Sequence, residues 1–101
     1  MQVIHVPPEQ HTPPLPEPSY ARQVIEVMAA ELERTGNRRR LLTEVGLRRA
    51  FTVAVAAKLH TLPTVVANEV ADRVAALLPG SGPLDTHGAY AQQLRKIAEA
   101  V

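Results

Sequence analysis

Nine prolines set the limits of what this chain can fold into. Six of them, Pro7, Pro8, Pro13, Pro14, Pro16 and Pro18, lie within residues 7–18. A fixed φ and a missing N–H exclude a helix or a central strand there. Extended polyproline conformation is the natural state of such a segment. Residues 1–18 therefore read as an extended proline-rich arm, and residues 19–101 as the folded domain. Within the arm, Gln2 to Val6 alternates weakly, but a lone strand without a partner is not stable. Pro13-Pro14-Leu15-Pro16 carries the minimal P-x-x-P pattern. It reads first as a spacer or wrapping arm and second as a docking peptide.

Pro18 and the three remaining prolines punctuate a helical pattern. Pro18 and Ser19 supply a helix start, and Gly36-Asn37 supplies its stop. Between them Tyr20, Val24, Val27, Met28 and Leu32 recur at helical spacing, widened by Ile25 and Ala29, with Glu26, Glu31 and Glu33 expected on an acidic outer face. A second helical region is expected after Asn37 as N-cap, which places Arg38, Arg39 and Arg40 in its first turn, the unfavourable end of the helix dipole for cations. Leu41, Val45, Val55 and Leu59 fall on one side of it, with Arg48 inside the same stripe. Leu47, Phe51 and Ala54 form a second apolar side. A helix apolar on several sides is expected at the centre of its bundle. Gly46 interrupts it, at about 1 kcal/mol relative to Ala, and marks a kink, a break or a close crossing. Phe51 to Val55 also carries strand character, but the neighbouring alanines favour helix.

Pro63 opens a third helix over about 63–78, with Val66, Val70, Val74 and Leu77 as its stripe and Val65, Ala67, Ala71 and Leu78 beside it. Pro79-Gly80-Ser81-Gly82-Pro83 breaks the chain. Asp85 or Thr86 can cap a fourth helix carrying Tyr90, Leu94, Ile97 and Val101. The expected fold is all-α: a compact bundle of about four helices behind a proline-rich arm.

Charge is the second organising feature. Residues 34–60 hold seven of the eleven Lys and Arg side chains and a single acid, Glu44, for a formal +6; the rest of the chain carries −5. The net charge of +1 hides this division. Arg34, Arg38, Arg39, Arg40, Arg48 and Arg49 are the candidate contacts to an anion or a nucleic acid, since arginine forks suit phosphate and carboxylate. The bland alternative pairs them with first-helix acids such as Glu31 and Glu33.

Enzyme chemistry finds little support. His5, His11, His60 and His87 have no ligand-spaced partner on one helix and read as surface or loop residues. Ser19 and Ser81 lie in no nucleophile elbow, and Gly80-Ser81-Gly82 lacks the rest of a dinucleotide cradle. Glu69 and Asp72 can share a face, but Arg73 adjoins them and a solvated face is the simpler reading. No catalytic residue, cofactor or metal is expected, and no small-molecule substrate is inferred. Cysteine is absent, no apolar run reaches the roughly 18 residues of a membrane span, and no leader pattern opens the chain. A cytoplasmic location is therefore expected.

Two functions compete. The first is a non-enzymatic interaction or accessory module that binds a protein partner or self-associates through its charge-divided surface. The second is a DNA- or RNA-binding regulator that uses the arginines, with residues 50–60, a turn at 61–64 and helix 64–78 as a helix-turn-helix. Ala57, Leu62, Val66 and Val70 would be its packing positions, and Asn68 and Arg73 its candidate base contacts. That second helix also presents Glu69 and Asp72, which suits phosphate poorly, and three aromatic residues give little material for base stacking. The first reading is preferred.

Overall fold

The computed structural model describes residues 19–34, 39–80 and 85–101. It contains four helices: α1 (Tyr20–Arg34), α2 (Glu44–Leu59), α3 (Thr64–Leu77) and α4 (His87–Ala100). Among the described residues there is no strand; one isolated antiparallel bridge joins Leu41 to Thr86. The expected arm at 1–18, the Gly36-Asn37 stop, Arg38 and the 81–84 part of the Pro/Gly break lie outside the described residues.

Local chemistry sets the helix starts. Ser19 Oγ accepts the Arg22 N–H at 3.2 Å and opens α1. Thr86 Oγ1 accepts the Ala89 N–H at 3.1 Å, so of the two expected caps for α4 the threonine is used. Helix α2 starts later than expected. Its N-cap is Thr43, whose Oγ1 accepts the Gly46 N–H at 2.9 Å. Arg39 and Arg40 therefore lie in a turn ahead of the helix rather than in its first turn, and the mismatch with the dipole disappears. Gly46 belongs to the opening turn of an unbroken helix. A Cβ there would come within 3.0 Å of Thr43 Oγ1, so the glycine leaves room for the cap. Phe51 to Val55 is helical, as the alanines suggest.

The packing order inverts one expectation. Helix α1, not α2, is the hub: it packs on α4, on α2 and, more sparsely, on α3. Val24, Ile25, Met28, Ala29 and Leu32 of α1 are essentially inaccessible. Helix α4 answers with Tyr90, Ala91, Leu94 and Ala98, whereas α2 buries only Ala50, Ala54 and Leu59, and α3 only Val74. Each large aliphatic side chain so buried stabilises the fold by about 1.5–3 kcal/mol. The physical reason is width. Apolar residues of α1 span both the 24–28–32 row and the 21–25–29 row, so one helix serves partners on two sides. The apolar content of α2 is spread around its whole circumference, and part of it meets water: Val45, Val53, Ala56 and Ala57 are exposed, as is Leu41 just before the helix.

Two polar contacts finish the core. The Tyr90 ring is fully buried and its hydroxyl donates to the Pro79 carbonyl at 2.6 Å, holding the segment after α3 against α4. Burial, aided by the charge of Asp85, raises the Tyr90 pKa above its ordinary value. Arg95 of α4 reaches Glu33 of α1 at 2.6 Å.

Candidate functional site

The basic residues come closest to forming a site where the turn before α2 meets the ends of α1 and α4. Two backbone hydrogen bonds fix this corner: Leu42 N–H donates to the Asp85 carbonyl, and His87 N–H to the Arg40 carbonyl, both at 2.8 Å. They lay residues 40–42 alongside the start of α4. A cavity of about 230 Å³ opens between them, with Glu31, Arg40, Thr43, Arg49 and His87 among its lining side chains.

Glu31 was expected on the outer face of α1. Instead it is buried, at the edge of the face that α1 turns toward α2. Its carboxylate is held by Arg34 through two contacts, Nε to Oε1 at 3.2 Å and a terminal guanidinium nitrogen to Oε2 at 2.7 Å. Glu31 in turn raises the Arg34 pKa, first by the hydrogen bond and then by its charge. His87, read from sequence as a surface or loop residue, is 5% exposed. Its Nδ1 lies 2.8 Å from the Leu32 carbonyl; a carbonyl only accepts, so Nδ1 carries the proton of that bond. The corner therefore offers guanidinium donors from Arg40 and Arg49 and the N-terminus of α2 on one side. Opposite them stand the Arg34-paired carboxylate of Glu31 and the imidazole of His87.

The candidate arginines do not converge. Adjacent residues on a helix point about 100° apart, so Arg48 and Arg49 part company. Arg49 faces the cavity. Arg48 lies beside a shallow apolar groove lined by Leu47, Phe51, Ala75 and Leu78, and contacts Glu44 at 3.6 Å with both side chains largely in water. Arg34 is committed to Glu31. Arg39 is exposed in the turn. Asn68 and Arg73 are both exposed on α3, but five residues place them about 140° apart, so they share no face. Of the packing positions proposed for a helix-turn-helix, Leu62 and Val70 are partly buried, whereas Ala57 and Val66 are exposed. Helices α2 and α3 pack on α1 rather than closely on each other. The P-x-x-P segment lies outside the described residues.

Sequence reasoning missed Glu31, Thr43 and His87. The available signals were local: Glu31 stands three residues before Arg34, Thr43 three before Gly46, and His87 follows the Thr86 cap. Among the described residues no His, Asp and Glu side chains gather so as to hold a metal ion, and no helix is long and apolar enough to cross a membrane. No family model matches the sequence, and no curated protein or solved structure matches it either.

Proposed function

We propose that this chain is an interaction module whose docking face runs from the turn before α2 along that helix's outward side. The observation that carries this reading is Val45, 78% exposed, with Leu41 at 52%, set among Arg40, Arg48 and Arg49. Large apolar side chains interleaved with arginine make a surface suited to a protein partner with apolar and acidic side chains. Buried in such a contact, a side chain like Val45 contributes on the order of 1–2 kcal/mol.

Nucleic-acid binding is the second reading, favoured by Arg40 and Arg49 lining one corner. Against it stand the pairs Arg34–Glu31 and Arg48–Glu44, the exposed acids Glu69 and Asp72 on α3, and the fact that Tyr20, Phe51 and Tyr90 are all at least partly buried. Burial limits what these aromatics can offer to base stacking.

One experiment separates the two. A photo-reactive amino acid is placed at position 45 and, as a control, at position 99 on the far side of α4, and each full-length protein is irradiated in its native cells. The interaction reading expects discrete protein adducts from position 45 and none from position 99. Adducts to nucleic acid from position 45, together with duplex DNA binding that weakens steeply with salt, would overturn it.

A further inference from the structure

Two exposed helix faces carry the same pattern with opposite charge. On α2, Val45, Arg49, Thr52 and Ala56 follow one another at steps of four, three and four residues, and all four are exposed. On α3, Val65, Glu69, Asp72 and Ala76 follow at the same steps, and all four are exposed as well. Steps of four and three keep each set on one face within about 60° of arc. Each face runs about 16 Å, three helical turns. Val65 is 69% exposed and Val45 is 78%, so each stripe begins with a valine that its own fold leaves in water. Arg49, Glu69 and Asp72 make no ion pair within the chain among the described residues.

We infer that the partner of the α2 face is a second copy of this chain, presenting its α3 face in antiparallel register. The inference rests on the interaction reading above and names its partner. The step pattern reads the same in both directions, so side-chain chemistry chooses the direction. Antiparallel, Val45 meets Ala76 and Ala56 meets Val65, a large residue against a small one at each end. Arg49 then meets Asp72, and the Thr52 hydroxyl can donate to Glu69. Parallel pairing would instead set valine on valine at one end and alanine on alanine at the other. The antiparallel arrangement also opposes the helix dipoles favourably. One such contact is small beside the roughly 1,200 Å² of a stable interface. Each chain owns one stripe of each kind, however, so every copy can take part in two such contacts. The association is weak and salt-sensitive, because its polar centre is exposed to screening.

Sedimentation of the full chain over a range of concentrations, at low and at physiological salt, tests this. The weight-average mass is expected to rise above that of the monomer. Arg49→Asp and Asp72→Arg should each weaken association by at least about tenfold, since each sets like charges together. An equimolar mixture of the two variants should associate again, because the reversed pair is restored. Circular dichroism should find both variants folded, as both positions are exposed. A wild-type monomer throughout overturns the inference, and so does a mixture that stays monomeric. A mixture of Arg49→Asp with Glu69→Arg that associates better than one with Asp72→Arg overturns the antiparallel register. Discrete adducts to a different protein from position 45, alongside a monomeric wild type, would discard self-association and leave the interaction reading standing.

Discussion

The assignment of α1 as hub is most sharply tested by comparing Ile25→Ala with Val45→Ala. Both remove a branched aliphatic side chain from a helix, and both positions belong to apolar stripes in the sequence. The structure separates them completely: Ile25 has no exposure and Val45 has 78%. Losing three buried carbons at Ile25 forfeits about 2.4 kcal/mol of transfer free energy, and the unfilled cavity adds to this, for a total of about 3–4 kcal/mol. In a domain of this size each kcal/mol moves the melting temperature by about 4–8 °C, so Ile25→Ala should melt at least about 12 °C lower. At position 45 little burial is lost. Alanine is the better helix former, so the change should fall within about 0.5 kcal/mol and lean toward stabilisation. Thermal and urea unfolding followed by circular dichroism, at concentrations where sedimentation reports a monomer, measures both. A loss at Val45→Ala that matches the loss at Ile25→Ala would refute the hub assignment and place the outward side of α2 in the core.

Two further outcomes follow from single contacts. Tyr90→Phe removes the hydroxyl donated to Pro79 and should cost about 1 kcal/mol at neutral pH. Because burial raises the Tyr90 pKa in the folded state, the unfolded chain releases this proton first. Stability is therefore intact below about pH 10 and falls as pH rises beyond it; urea titrations across this range should show Tyr90→Phe losing less there than the wild type. Gly46→Ala should gain little of the roughly 1 kcal/mol that alanine offers a helix, since the new Cβ would crowd Thr43 Oγ1 at 3.0 Å. In a Thr43→Ala background, itself about 0.5–2 kcal/mol less stable, the same change should recover that gain. Equal gains in both backgrounds by urea unfolding would show that the cap and the glycine are uncoupled.

Most of the fold was legible because its signals are local. Ser19, Pro63 and Thr86 mark helix starts, and the Tyr90–Leu94 and Val24–Met28–Leu32 spacings mark core faces that the structure buries. What could not be read was competition between segments. Periodicity says that a helix owns an apolar face; it does not say which neighbour covers that face. Four stripes compete for one modest core, and α1 wins because its apolar rows serve two sides. Helix α2 has more apolar residues in total, but they are spread too widely to be covered together. The corner holding Glu31, Arg40, Arg49 and His87 was illegible for a related reason. It depends on the bridge between Leu41 and Thr86, a pairing across 45 residues that no local pattern announces.

The same competition explains why the outward faces carry chemistry. A chain with 14 buried apolar residues among those described still spends valines on water at positions 45, 53, 65 and 66. Stability does not require them there, and alanine, glutamate or lysine at those helix positions would raise helix propensity and lower the hazard of aggregation. The charge division serves the monomer only in part: Arg34 pairs with Glu31, whereas Arg49 on one helix and Glu69 and Asp72 on another make no ion pair within the fold. The proposed contact would meet both the exposed valines and the opposite charges. In the proposed contact, an apolar end, a charged centre and a small residue at the far end, repeated with reversed sign on the next helix, form its two halves. If both halves lie on every copy, the division of charge along the sequence is a device for recognition, and the arginines of α2 are matched to acids that α3 already carries.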